Sequence, residues 1–255
     1  MLENFQASQE PSFVEEVKPM PFIDKLTGVF TAPAEVFENL VKSKPKTVDW
    51  LAPVVILIVL AILSNFLKFS NERIKDSLIA FQEQWIDKLV EEGKMTEEQA
   101  EMAKEGMEVS SGMQQIFSVI GVLIGIPILF LIVTLVYFLL GKLFLKGNVD
   151  FMTIFSIYSL SSLIGSVGVI VATILAFVTG SFFASASPAI FMEASSNKAY
   201  MLASKIEIFT LWQLAVFAIG MAKAFNKDYL SAFAVVFGAW AVWVVLSLFI
   251  PFLGG

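Results

Sequence analysis

The stretch IFSVIGVLIGIPILFLIVTLVYFLL, residues 116–140, decides the fold, because it runs for 25 residues without a charged side chain. A helix needs about 20 apolar residues to cross the hydrocarbon core of a bilayer, which is roughly 30 Å thick. Four more stretches meet that requirement, at residues 50–69, 155–178, 209–225 and 230–253. The sequence therefore predicts an all-α polytopic integral membrane protein with five transmembrane helices.

The composition supports lipid as the solvent for most of the chain. Hydrophobic residues make up 57% of the 255 residues and charged residues 16%, and the mean hydropathy is +0.77. The chain has no Cys and no His, which excludes disulfides, thiolate nucleophiles, imidazole acid–base chemistry and Cys/His metal sites. No other catalytic, cofactor or metal-ligand motif is present, so we predict a protein that is not an enzyme and holds no cofactor.

The chain ahead of the first span divides into two parts. Residues 1–20 are polar and acidic without helical periodicity, and they predict a disordered tail. Residues 21–49 predict a cytoplasmic amphipathic region, in which Thr31 is the expected N-cap of a short helix with Pro33 in its first turn.

Apolar residues of that short helix, including Phe37 and Leu40, share one helical face opposite its charged residues. Two placements fit this pattern. The helix could lie on the membrane surface with Phe37 and Leu40 in lipid, or it could pack under the bundle. The sequence leaves both open.

The connection between the first two spans, residues 70–113, carries five basic and eleven acidic residues. Apolar residues from Ile74 to Leu89 recur at helical spacing, and a capping box begins at Thr96. We predict a helical hairpin in water. The apolar stripe of its first helix is expected to pack against its second helix rather than to serve as a docking surface. Since no basic stripe is available to neutralise phosphates, a nucleic-acid partner is excluded.

Small residues in the second and third spans predict close helix packing. Gly121 and Gly125 form a GxxxG pair that is followed by Pro127, and the third span carries Gly165 and Ser166 among other small residues. Because small residues let helix backbones approach closely, we expect spans two and three to pack tightly through these faces.

Few polar groups lie at membrane depth. Gln213, next to Trp212, is expected to form an interhelical hydrogen bond, and the alternative is a polar contact that lines a substrate path. Lys205 and Glu207 lie near the start of the fourth span. Glu207 is expected to cap that helix, with an ion pair to another span as the alternative.

A weak repeat follows spans two and four. Lys142 and Lys146 precede Asp150 in one copy, and Lys223 and Lys227 precede Asp228 in the other. Helix capping explains the two acids, and the shared pattern predicts that both turns lie on the same side of the bilayer. Lys and Arg residues near the span ends favour a cytoplasmic N-terminus and an outside C-terminus.

Several motifs together resemble the Yip domain family, membrane proteins named for their interaction with Ypt/Rab GTPases. They are GVFTAPAEVF at residues 28–37, WLAP at 50–53, Asp150-Phe151, FTLWQL at 209–214 and FAIGMA at 217–222. The resemblance implies a cytosolic N-terminus and a five-span membrane domain, here residues 50–253. The short acidic tail and the acidic hairpin differ from eukaryotic members and point to a prokaryotic protein of the bacterial cytoplasmic membrane, with an ER or Golgi protein as the alternative.

Two functions follow from these observations. The first is a non-enzymatic scaffold or adaptor for membrane organisation or trafficking, which binds membrane lipids and membrane or peripheral proteins; a homo-oligomer is left open. The alternative is a small-solute transporter or channel, with a polar path between spans two, three and four marked by Pro127 and Gln213.

Overall fold

The computed structural model describes residues 17–109, 111–195 and 197–249, with residues 107–109 and 111–114 described by their backbone alone. In this part of the chain the structure is 82% helix and contains no strand. The α-helices of these residues are, in chain order, α1 (Phe22–Thr31), α2 (Pro33–Ser43), α3 (Thr47–Phe69), α4 (Glu72–Glu91), α5 (Glu97–Val109), α6 (Ser111–Leu140), α7 (Phe151–Thr179), α8 (Lys198–Lys205), α9 (Ile208–Phe225) and α10 (Tyr229–Ser247).

Five of these helices, α3, α6, α7, α9 and α10, are long and apolar enough to cross a membrane. This confirms the predicted all-α polytopic fold. The helix α6 continues as a π-helical turn over Gly141–Leu145. The last span ends at Ser247 rather than at residue 253, and residues 250–253 of the predicted span lie outside the described residues.

The helix α7 organises the bundle. It packs most extensively against α3 and α9 and also contacts α1 and α6, while α10 packs against α9. Its apolar residues Ile154, Ile157 and Leu160 are fully buried. Its serines are buried too, and some donate back to the helix: the hydroxyl of Ser161 donates to the carbonyl of Ile157 at 2.8 Å. A back-bonded hydroxyl needs no partner on another helix, which lets a polar residue sit inside a membrane bundle.

The region ahead of the first span forms two helices, so the prediction for Thr31 is wrong. Thr31 is the last residue of α1, and its hydroxyl donates to the carbonyl of Thr27 at 3.3 Å. Ala32 occupies the N-cap of α2, with Pro33 in the first turn. Proline has no N–H to donate and disfavours helical dihedrals in the residue before it, so the chain breaks at Ala32.

The two placements left open for α2 are resolved in favour of packing. Phe37 and Leu40 are both 0% exposed and belong to the main core cluster, so the apolar face of α2 lies against the bundle instead of in lipid. Residues 1–16 of the predicted disordered tail lie outside the described residues. Its end is tied to α2: the Asn39 side chain accepts from the N–H of Met20 at 2.8 Å and donates to the carbonyl of Lys18 at 3.0 Å.

The predicted hairpin is formed by α4 and α5, which Lys104 and Asp87 join at 2.6 Å. Its apolar stripe packs differently from the expectation. Ile74 is 1% exposed and clusters with Ala176 and Ala184 of the bundle. The rings of Phe81 and Phe183 likewise lie 4.5 Å apart. The hairpin is thus docked on the end of α7 and the segment after it.

Candidate functional site

One end of the bundle gathers α2 and the two turns that carry the repeat. We call it the lysine end, after Lys42, Lys146, Lys223 and Lys227. The turn before α7 touches the end of α9: a Cβ placed on Gly147 would lie 3.4 Å from the carbonyl oxygen of Phe225. Both turns therefore lie at the same end of the bundle, as the repeat predicts.

The two acids of the repeat are N-caps with matching geometry. Asp150 accepts from the backbone N–H of Thr153 at 3.0 Å and from its hydroxyl at 2.6 Å. Asp228 accepts from the N–H of Ser231 at 2.8 Å and from its hydroxyl at 2.7 Å. These bonds satisfy donors of the first turn that have no partner within the helix, so capping accounts for the acids of the repeat.

A polar cavity of about 330 Å³ opens between α2, α9 and the start of α10. We call it the lysine pocket. Its polar lining residues are Glu38, Lys42, Lys223, Asn226, Lys227, Asp228 and Tyr229.

Glu38 connects two of the lysines that line this pocket. Its carboxylate lies 2.6 Å from Lys42 Nζ on the same helix and 2.8 Å from Lys223 Nζ on α9. Hydrogen bonds from Lys223 and then Lys42 lower the pKa of Glu38 from 4.5 to about 2. The carboxylate therefore stays ionised and joins α2 to α9 over the whole physiological range.

Because the folded pKa of Glu38 lies below its unfolded value, the stability it contributes is fully present above pH 4.5 and is lost as the pH falls towards 2. We expect Glu38→Gln to lower Tm by a constant amount above pH 5, and this difference from the wild type to shrink progressively below pH 4.5. Thermal unfolding in detergent at stepped pH measures it. Glu35→Gln, an exposed acid of the same helix, is the control and should show no such trend.

A second ion pair is fully buried. Lys25 Nζ of α1 lies 2.7 Å from Asp49 Oδ1 of α3, and both side chains are 1% exposed. The second carboxylate oxygen of Asp49 accepts from the N–H of Lys46 at 2.8 Å. Asp49 lies in the first turn of α3, so this charge pair sits at the lysine end and not at the midplane. This pair is not predictable from the sequence, since an acid in the first turn of a span is its only local signal.

The small residues of α7 pack against α9. A Cβ on Gly165 would lie 2.5 Å from Gln213 Oε1, and one on Gly168 would lie 2.9 Å from Phe209 Cβ. From the other helix, Gly220 faces Ile157 and Phe37 without room for a side chain. We call this contact the α7–α9 seam. The expectation that the small residues of span three pack against span two is therefore wrong for Gly165 and Gly168.

Gln213 packs in this seam. Among the described residues none joins its side chain to another helix, so the expected interhelical hydrogen bond is not formed. Its carboxamide packs on the bare backbone at Gly165 instead. Its neighbour Trp212 is 40% exposed and contacts Phe30 of α1 edge-on at 5.9 Å between ring centroids.

Among the residues that the structure describes, the GxxxG pair of α6 contacts no other helix. A Cβ on either Gly121 or Gly125 would meet no atom within 4 Å, so the predicted packing role of both is wrong. The helix α6 continues without interruption through Pro127. It packs through its second half instead, where Phe130 clusters with Val54 and Phe155.

Glu207 is the N-cap of α9, the first of the two roles considered for it. Its carboxylate accepts from the N–H groups of Phe209 at 3.0 Å and Thr210 at 2.6 Å. Lys205 extends over the ring of Trp243, 5.0 Å from its centroid, and burial lowers its pKa. Glu207 and Lys205 thus stabilise helix ends at the membrane boundary.

Residues 27–250 match the family model of the Yip1 domain. The chain belongs to the Yip1 domain family. The match covers every described helix from α2 to α10, including the lysine pocket and the α7–α9 seam, whereas Lys25 lies just ahead of it. The Yip resemblance drawn from the sequence motifs is confirmed. No curated protein and no solved structure matches this Yip1 family member.

Proposed function

We propose that this Yip1 family protein is a non-enzymatic scaffold or adaptor, which organises a membrane through contacts with lipids and proteins. The observation that carries the proposal is the closed α7–α9 seam. Gln213, the polar residue that marks the alternative solute path, packs against Gly165. Phe209 packs against Gly168 in the same seam. A route for a polar solute between these spans would need this packing to open.

The shape of α6 also favours a scaffold. Transporters commonly bind substrate where a span is broken and its backbone groups face a cavity. In this protein α6 remains helical on both sides of Pro127. Its second half packs on the core through Phe130. This arrangement supports a static role for α6.

Fixed helices at both ends of the bundle offer surfaces for partners. At the lysine end, the Lys25–Asp49 pair and the buried face of α2 hold the two N-terminal helices in place. At the opposite end, the acidic hairpin is docked on the bundle through Ile74. Rigid surfaces cost less ordering entropy when a partner binds.

The orientation proposed for the protein follows the positive-inside rule. Seven lysines lie near the span ends at the lysine end, against six basic residues at the other. The acidic hairpin belongs to the less basic end. We therefore place the lysine end and the N-terminus in the cytoplasm of a bacterium, with the C-terminus outside.

Flux through liposomes tests the proposal against transport. Purified protein in liposomes is expected to move K⁺, protons and glycerol no faster than protein-free liposomes do, and Gln213→Leu should behave like the wild type. Protein-dependent flux that disappears in Gln213→Leu would favour the transporter. As a positive test, a photo-crosslinking residue at the exposed Ile23 of α1 should yield discrete protein adducts in cells. The same residue at Val55, on the lipid side of α3, should not.

A further inference from the structure

The lysine pocket holds more hydrogen-bond donors than the protein itself uses. Three ammonium groups and two carboxylates line it, which leaves a net charge of +1. Glu38 occupies two of the ammonium groups, those of Lys42 and Lys223. Both carboxylate oxygens of Asp228 accept hydrogen bonds from Ser231 in the first turn of α10.

The remaining donors point to an external ligand. Within the described residues, the ammonium group of Lys227 and the carboxamide of Asn226 form no hydrogen bond with the protein, and both residues are exposed. Lys227 interacts with Asp228 only by electrostatic attraction, without a hydrogen bond. An anion that enters the pocket would meet these two donors together with Lys223.

The position of the pocket selects the kind of anion. Lys223 lies in the last turn of α9 and Asp228 directly precedes α10, so the pocket opens where two spans leave the membrane. Phosphate groups of lipids are dense at that level, and each lysine near an anionic surface contributes to its attraction. Inside the pocket, the Glu38 carboxylate, itself an anion, already binds Lys42 and Lys223.

We propose that the lysine pocket binds the phosphate group of an anionic phospholipid, through Lys223, Lys227 and Asn226. Glu38 limits the affinity, because it competes with the phosphate for Lys42 and Lys223. This inference deepens the proposed function by naming a lipid class, and it rests on that function only in taking lipid as a partner. A protein that proved to be a transporter could still bind lipid here. The flux test and the lipid-binding test can therefore contradict their proposals independently of each other.

Native mass spectrometry of the full chain in detergent tests the proposal. Delipidated protein is titrated with phosphatidylglycerol or with phosphatidylcholine, and the bound fraction gives an apparent Kd. We expect phosphatidylglycerol to bind more tightly. Lys227→Gln should weaken its binding about five-fold, the usual effect of losing one hydrogen bond to a ligand. Glu38→Gln should tighten it by a similar factor.

The control is Lys142→Gln, which removes the same charge at the lysine end but outside the pocket. It should leave the Kd for phosphatidylglycerol unchanged. Equal losses in Lys142→Gln and Lys227→Gln would overturn the proposal, because attraction would then come from diffuse surface charge. Glu38→Gln without tighter binding would overturn it too. Since a misfolded variant does not bind more tightly, the opposite signs of the two changes separate binding from folding.

Inorganic phosphate distinguishes a lipid from a soluble source of the same group. Added as a competitor, it should displace phosphatidylglycerol only at concentrations far above the apparent Kd of the lipid, because it lacks the acyl chains. Displacement at a comparable concentration would assign the pocket to a soluble phosphate and would contradict the assignment to lipid.

Discussion

Asp49→Ala is expected to destabilise the protein by about 3–5 kcal/mol, because it leaves the ammonium group of Lys25 buried without its partner. The carboxylate is also lost as an acceptor for the N–H of Lys46 at the start of α3. The free energy of unfolding, measured by titrating detergent-solubilised protein with SDS, gives the effect. Asp24→Ala is the matched control, since Asp24 is an exposed acid of α1, and its effect should stay within about 0.5 kcal/mol.

A double variant separates the penalty of an unpaired charge from the value of the pair. Replacing both partners, in Lys25→Met/Asp49→Leu, removes the two buried charges together and should restore most of the stability lost in Asp49→Ala. If Asp49→Ala unfolded like the wild type, the ion pair would not be buried as described. Amide hydrogen exchange should also show faster exchange in α1 for Asp49→Ala, because α1 would lose its bond to α3.

Gly220→Val should be the second most damaging change. A Cβ on Gly220 would collide with Ile157 of α7 and would lie 3.0 Å from a ring carbon of Phe37, and both of these side chains are fully buried. Overpacking of this kind costs about 1–3 kcal/mol in well-packed cores. We expect a loss of at least that size in the same SDS titration, since the added branches reach further than a Cβ.

The matched control is Gly121→Val, at a glycine of α6 where an added Cβ would meet no atom within 4 Å. Its stability should change little. Equal losses in the two variants would show that valine is unfavourable in these spans generally, and would contradict the assignment of close packing to the α7–α9 seam.

Features that depend on neighbouring residues in the chain were predictable from the sequence. The length and hydropathy of residues 116–140 suffice to identify a span, because the requirement of the bilayer applies to each helix alone. Capping is local as well. Asp150, Asp228 and Glu207 occupy the N-cap positions proposed for them.

Features that depend on distant parts of the chain were not predictable. Gly121 and Gly165 have similar small-residue surroundings in the sequence, yet only Gly165 meets another helix. Which face of a span is buried depends on the arrangement of all the helices. Lys25 and Asp49 lie 24 residues apart in the sequence, and no motif marks the pair.

The break between α1 and α2 lies between these two cases. The sequence predicts Pro33 in a first turn, as the structure has it, but it predicts Thr31 as the cap and no helix ahead of it, where the structure has α1. The glycine in GVFT lowers helix propensity, whereas packing favours helix there: Val29 is 0% exposed in the core. Tertiary contacts override local propensity at this position.

The labelling of single cysteines from each side of the membrane tests the five-span bundle most directly, because the chain has no native Cys. Exposed positions Glu35, Asn148 and Lys227 belong to the lysine end, and exposed positions Glu101 and Glu193 belong to the other end. A membrane-impermeant maleimide added to inverted or right-side-out vesicles should label the first three from one side only and the last two from the other. If Asn148 and Lys227 were labelled from opposite sides, the arrangement of five spans described here would be contradicted.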